Sequence, residues 1–143
     1  MKFLVVFAVL VLAVTNIRAQ LTKVEAIAIA TGCKEETGAS DADFEAMLKH
    51  QPADSKEGKC LRACTFKKLG VIGDDGKMLK DAAVELSKSF VKDEEKKKLV
   101  AGAIEACNDL KVSADHCEAA EEYGQCLKKE FDSKGISAAD DLL

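Results

Sequence analysis

Six cysteines constrain this chain of 143 residues more strongly than any other feature of its sequence. Cys60 and Cys64 are four positions apart in a segment predicted to be helical, so their side chains share one helix face. A straight helix holds two such thiols side by side, and each is therefore expected to bridge to a different element. Cys117 and Cys126 are nine positions apart on another predicted helix and face opposite sides. These constraints remove many pairings but leave several open for the full set of Cys33, Cys60, Cys64, Cys107, Cys117 and Cys126.

The first 19 residues have the organisation of a secretory signal peptide, and residues 20–143 are expected to form a single domain. Lys2 supplies a positive start, residues 3–14 are an unbroken apolar run, and the small residue Ala19 marks the expected cleavage site. The apolar run is too short to span a bilayer comfortably, although a retained membrane anchor is the alternative interpretation. We therefore expect a secreted protein without stable membrane association.

An even number of cysteines in a secreted chain of this size indicates three disulfides. Zinc binding is the competing interpretation, since His50 and His116 would add ligands to the cysteines. Metal-site cysteines, however, usually occur as close pairs in reducing compartments, so we expect no metal and no other cofactor. The chain is not expected to be an enzyme, because bridged cysteines leave no thiolate and the sequence lacks Gly-x-Ser-x-Gly and His-Glu-x-x-His motifs.

Composition favours helices and argues against several classes of partner. Tryptophan is absent, proline occurs once, and 25 acidic residues outnumber 21 basic ones. An acidic chain without a basic tract is poorly suited to binding nucleic acids or anionic lipids. Low proline content with abundant Ala, Leu, Lys and Glu is typical of an all-α domain. The sequence therefore predicts six short helices in one compact domain.

Capping residues and apolar periodicity predict where the helices begin and end. The first helix is expected over residues 22–31, ended by Gly32, and its nearly all-round apolar surface predicts that it is buried. Ser40 is expected to cap the second helix, Asp54 the third and Ser113 the sixth. The segment between the third and fourth helices is predicted to be a turn and not a calcium loop, because acids are missing from the required positions.

The cysteine spacing closely resembles that of the insect odorant-binding proteins of the pheromone and general odorant-binding class. The three residues between Cys60 and Cys64 and the eight between Cys117 and Cys126 are its most specific marks. The segments GKCLRAC and DHCEAA, which surround Cys60 and Cys117, also look like this family. The match covers essentially the whole predicted mature chain. The resemblance implies the disulfides Cys33–Cys64, Cys60–Cys117 and Cys107–Cys126.

The resemblance also implies a six-helix, disulfide-linked domain that encloses an apolar cavity and carries small hydrophobic molecules, such as odorants or pheromones, through aqueous fluid. Ordinary core packing is the alternative role for any one residue of the expected cavity wall. Tyr123, as the one phenol, is the expected polar contact for a ligand. The resemblance places Met47, Phe66, Val71, Leu86, Ile104, Tyr123 and Leu127 in the wall, the helical stripes add Phe90 and Phe131, and the C-terminus adds Leu142.

The implied setting is an extracellular fluid such as sensillum lymph, with a chemosensory receptor as a further partner and a monomer or weak homodimer as the oligomeric state. Two alternatives are a general carrier of hydrophobic ligands in haemolymph or other non-olfactory secretions, and a secreted interaction protein that acts through its charged surface. A further hypothesis is that Leu142 and Leu143, next to Asp140 and Asp141, close the cavity in a pH-dependent way. Simple fraying of the C-terminus is the alternative to such a gate.

Overall fold

The computed structural model describes residues 21–137, which contain six α-helices and an isolated β-bridge between Ile72 and Met78. The predicted all-α fold is therefore confirmed for this part of the chain. None of these six helices is both long enough and apolar enough to cross a membrane. The predicted signal peptide lies outside the described residues and stays a prediction. The helices are α1 (Lys23–Thr37), α2 (Asp41–Leu48), α3 (Lys56–Lys68), α4 (Lys80–Phe90), α5 (Glu94–Asn108) and α6 (His116–Ser133).

The end of α1 differs from the prediction, which placed it at Gly32. The helix begins after Thr22, whose hydroxyl accepts from the Glu25 N–H while the Glu25 carboxylate accepts from the Thr22 N–H. It then continues through Gly32 to Thr37 and ends at Gly38, which has a φ of 70°. A glycine inside a helix costs about 1 kcal/mol relative to alanine and does not by itself stop the helix. The left-handed conformation at Gly38 does end it.

The starts of two other helices also differ slightly from their predicted positions. Ser40 caps α2, as predicted. At α3, the predicted cap Asp54 is wrong by one residue, because the Ser55 hydroxyl accepts from a backbone N–H of the first turn. At α6, the predicted cap Ser113 is wrong by two residues, because the Asp115 carboxylate accepts from two such N–H groups. Asp54 and Ser55 are both competent capping residues, and so are Ser113 and Asp115, so capping preference alone does not choose between them.

The first helix is also less buried than predicted. Only Ala30 and Cys33 are buried within α1, while Val24 and Ile27 are 77% and 42% exposed. The helix packs mainly against α3, where Cys33 and Leu61 lie in one buried cluster. The prediction of an all-round buried helix is therefore wrong, because the neighbouring helices cover only one side of α1.

Three disulfides tie the helices together, and α3 is the centre of this network. Two bridges leave one face of α3, one to α6 and one to α1, while the third joins α5 to α6. Each bridge stabilises the fold by about 2–4 kcal/mol. The bridges are Cys33–Cys64, Cys60–Cys117 and Cys107–Cys126, which is the pairing that the family resemblance implies.

The apolar core of the described residues consists of three separate clusters. Members or packed neighbours of each cluster also line the space that remains between the helices, so this space lies where the clusters meet. The buried members are Val91, Val100, Ala103, Ile104, Phe131 and Ile136 in the first cluster, Ala63, Ile72, Ala120 and Tyr123 in the second, and Cys33, Ala39 and Leu61 in the third.

Candidate ligand-binding cavity

A cavity of about 250 Å³ lies between the helices, and all six helices contribute to its wall. This volume is just below the range of about 300–1,000 Å³ that is typical of small-molecule sites, so a small occupant is expected. Ala26 and Ala30 on α1 and Ala83 on α4 lie at the wall, where larger side chains would fill the space. Most of the remaining wall consists of Leu, Ile, Val, Met and Phe side chains. The cavity is therefore suited to an apolar molecule.

Nine of the ten residues predicted for the wall lie at this cavity, and the tenth, Leu142, is outside the described residues. Three of the nine, Tyr123, Leu127 and Phe131, follow one another at four-residue steps and so share one face of α6. Leu86 and Phe90 likewise share one face of α4. The role of all nine residues as ligand contacts stays a prediction. The nine residues are Met47, Phe66, Val71, Leu86, Phe90, Ile104, Tyr123, Leu127 and Phe131.

One part of the wall is polar, and it was not predicted from the sequence. Arg62 of α3 is 4% exposed, and its Nη1 lies 3.3 Å from Oε2 of Glu121 on α6. Arg62 Nη2 also donates to the backbone carbonyl of Gln51. Glu121 Oε1 accepts hydrogen bonds from the Ala53 N–H and from the Gln125 side chain, both at 3.0 Å. The ion pair and its hydrogen bonds therefore hold the segment between α2 and α3 against α3 and α6, the two helices that the Cys60–Cys117 bridge already joins.

His50, which follows α2 with a φ of 53°, lines the cavity together with Arg62 and Lys128. Its Nε2 atom is buried and has no hydrogen-bond partner in the described part of the chain. Burial lowers the pKa of His50, and the positive charges of Arg62 and Lys128 lower it further. Burial also lowers the pKa of Arg62, an effect that the Glu121 carboxylate opposes. The imidazole of His50 is therefore uncharged at neutral pH.

The signal that would have revealed this polar part is the position of two opposite charges relative to one disulfide. Arg62 lies two residues after Cys60 and Glu121 four residues after Cys117, so the Cys60–Cys117 bridge brings both onto facing turns. A charged side chain is normally assigned to the surface unless a partner for it is known. The resemblance already implies the Cys60–Cys117 bridge, so this signal was present in the sequence.

The second histidine and the competing zinc interpretation concern other parts of the molecule. His116 Nδ1 is 2.7 Å from Lys67 Nζ. Within residues 21–137, the one group of potential metal ligands comprises Cys33, Glu36 and Cys64. The two sulfur atoms of this group are joined in a disulfide, so neither is available as a thiolate ligand. This group therefore does not form a zinc site.

The fold and the cavity define a class of protein, a small all-α domain in which three disulfides brace six helices around an apolar space. The chain belongs to the PBP/GOBP family, the pheromone-binding and general odorant-binding proteins, whose sequence model matches residues 18–130. The family assignment made from the cysteine spacing is thus confirmed. The chain is also 41% identical over 108 residues to general odorant-binding protein 28a of Drosophila melanogaster. The aligned region covers 75% of this chain and 76% of that protein.

Solved structures agree with this assignment. Odorant-binding protein dmelOBP28a from Drosophila melanogaster superimposes with a TM-score of 0.72 at 39% identity, covering 78% of this chain and 93% of that chain. A pheromone-binding protein from the cockroach Leucophaea maderae, solved in complex with the fluorescent reporter ANS, gives a TM-score of 0.58 at 21% identity and covers 77% and 98% of the two chains. The second likeness shows the shared fold alone.

Proposed function

We propose that this protein is a carrier that binds small hydrophobic molecules in its cavity and transports them through aqueous fluid, and that it is not an enzyme. The observation that carries the proposal is the cavity of about 250 Å³ with its mostly apolar wall. A ligand that buries about 300 Å² of apolar surface gains roughly 7 kcal/mol at about 25 cal/mol per Å². The entropic cost of association offsets part of this gain, so dissociation constants in the micromolar range are expected.

The disulfides suit this role because an internal cavity destabilises a small domain. On a scale of about 24 cal/mol per Å³ for enclosed voids, a space of about 250 Å³ costs at most roughly 6 kcal/mol, and less where it is open to solvent. Three bridges at about 2–4 kcal/mol each are sufficient to offset a cost of this size. Two of the three bridges attach to α3, which itself lines the cavity through Arg62, Thr65 and Phe66. We therefore interpret α3 as the helix that holds the cavity open.

Titration with the apolar fluorescent probe N-phenyl-naphthylamine tests the proposal on oxidised protein that lacks residues 1–19. Saturable one-to-one binding, with displacement by small volatile compounds, is the expected result. The absence of saturable binding to protein with three intact disulfides would contradict the carrier function. It would instead favour a secreted protein that acts through its charged surface.

A pair of variants on α1 tests whether the probe occupies the cavity. Ala30 is buried and lines the cavity, whereas Ala28 on the same helix is exposed and does not line it. Ala30→Phe should fill part of the space and weaken probe binding by about tenfold or more. Ala28→Phe adds the same side chain to the surface and should leave the affinity unchanged. Equal affinities for the two variants would place the probe outside the cavity.

We further propose that the protein is secreted after cleavage of residues 1–19 and delivers its ligand to a chemosensory receptor, as a monomer or weak homodimer. Mass spectrometry of the secreted protein tests the cleavage, which should leave Gln20 as the first residue. A general carrier in haemolymph or other secretions is the alternative, since the same cavity serves both settings. Immunostaining of sensillum lymph supports the olfactory role, and staining confined to haemolymph or reproductive tissue supports the alternative.

A further inference from the structure

We propose that Arg62 donates a hydrogen bond to a neutral carbonyl oxygen of the ligand, so that the cavity favours ketones, aldehydes or esters over alkanes and carboxylic acids. This inference rests on the proposed carrier function and narrows it to a class of ligand. Arg62 is 4% exposed and lies in a wall that is otherwise mostly apolar. A buried N–H group that lacks an acceptor is costly, and a ligand oxygen that supplies the acceptor removes this cost.

The guanidinium of Arg62 has donors that the protein does not use. Nη2 donates to the Gln51 carbonyl. Nε is buried and has no partner within the described residues. Nη1 lies 3.3 Å from Glu121 Oε2, yet that oxygen accepts no hydrogen bond, so this contact is a charge pair without hydrogen-bond alignment. The guanidinium can therefore bind a further oxygen without giving up an existing hydrogen bond.

Gly124 makes room for the guanidinium at the cavity wall. Both Gly124 and Arg62 line the cavity, on α6 and α3 respectively. A Cβ atom built at position 124 would lie 3.0 Å from Arg62 Nη1, which is closer than an ordinary van der Waals contact. Because glycine has no side chain, the guanidinium packs closely against α6 at this position. The unused donor and the cavity therefore meet at Gly124.

The surrounding charges favour a neutral oxygen over a carboxylate. Arg62 is paired with Glu121 at 3.3 Å, and Lys128 at the cavity wall is paired with Asp132 at 2.6 Å. His50 adds no charge at neutral pH, since burial lowers its pKa. A carboxylate on Nη1 would lie beside the Glu121 carboxylate, and two anions that share a buried site repel each other. A carbonyl oxygen adds no charge and, unlike a hydroxyl, brings no donor that needs an acceptor.

Competition against N-phenyl-naphthylamine at neutral pH tests the inference with three ligands of equal chain length, namely 2-nonanone, nonane and nonanoate. We expect 2-nonanone to bind about tenfold more tightly than nonane, which corresponds to about 1.4 kcal/mol, and more tightly than nonanoate. Equal affinities for 2-nonanone and nonane, or tighter binding of nonanoate than of 2-nonanone, would overturn the inference and leave the carrier function intact. Failure of the probe itself to bind would overturn the carrier function as well.

Two variants assign the preference to Arg62. Gly124→Ala keeps both charges but places a methyl group against Nη1, and it should reduce the preference for 2-nonanone over nonane to about twofold or less. Arg62→Met should abolish the preference, and where this variant does not fold, as judged by circular dichroism, Gly124→Ala decides the question. Leu86→Ala, on the apolar wall of α4, is the control and should weaken both ligands equally. An undiminished preference in folded Gly124→Ala protein would overturn the inference.

Discussion

Replacing Arg62 with Met should destabilise the protein by about 3–5 kcal/mol, because the Glu121 carboxylate then stays buried without its counter-charge. The two side chains are 5% and 4% exposed, so solvent screens neither charge effectively. Glu121→Gln should have a comparable effect, since it leaves the Arg62 charge unpaired. The double variant removes both charges and should lose less than about 2 kcal/mol, because a buried ion pair contributes little relative to neutral residues of similar volume.

Guanidinium-induced unfolding with the disulfides intact, followed by far-UV circular dichroism, measures these free energies. For a domain of this size, a loss of about 3–5 kcal/mol lowers the Tm by roughly 10–20 °C. Lys59→Met is the matched control, because Lys59 pairs with Glu118 across the same two helices at 3.0 Å, but these side chains are 24% and 47% exposed, so solvent screens the pair. This control should change the Tm little. Single losses below about 1 kcal/mol, or losses that simply add in the double variant, would show that the two buried charges do not stabilise each other.

Three further predictions concern the end of α1, the histidine at the cavity and the C-terminus. Gly38→Ala should lower the stability by about 1 kcal/mol, because the φ of 70° at position 38 strains a residue with a side chain. Gly32→Ala lies inside α1 and should raise the stability by a similar amount. Thermal unfolding of both variants checks where α1 ends. Because burial lowers the pKa of His50, its contribution to stability is complete above the unfolded pKa of about 6.5 and is lost as the pH falls through the folded pKa. His50→Asn, which tolerates a positive φ, should flatten the fall of the unfolding midpoint over that pH range, and an unchanged pH profile would exclude His50 as its source. If the C-terminus closes the cavity, removal of residues 138–143 should alter the pH dependence of probe affinity. Identical affinities of the full-length and truncated proteins at neutral and mildly acidic pH would contradict closure. The truncation leaves Ile136 in place because this residue is 3% exposed and part of the core.

Much of the fold follows from local periodicity in the sequence, whereas the family resemblance placed seven of the nine wall residues and helical periodicity added Phe90 and Phe131. Tyr123, Leu127 and Phe131 recur at four-residue steps, and this spacing alone places them on one face of α6. The helical spacing of Cys60 and Cys64 likewise predicts that α3 is tied to two different elements, as the structure shows. Such features need no knowledge of distant parts of the chain, which is why sequence reasoning reaches them.

Two of the features that were not predicted depend on contacts between distant residues, and a third is local. The burial of Arg62 requires Glu121 and the open space at Gly124, and these residues lie on another helix. The exposure of Val24 depends on which side of α1 the neighbouring helices cover, and the apolar composition of α1 does not encode this. The end of α1 at Gly38 instead of Gly32 reflects a local choice between two glycines whose outcome capping preference does not settle.

We expect a small apolar molecule to occupy the space between the helices and not the exposed apolar surface. Nuclear Overhauser contacts between bound 2-nonanone and assigned methyl groups distinguish these two locations. A ligand between the helices should give contacts with Leu86, Ile104 and Leu127 at the cavity wall. Contacts confined to exposed methyl groups, such as those of Val24 and Leu110, would contradict it.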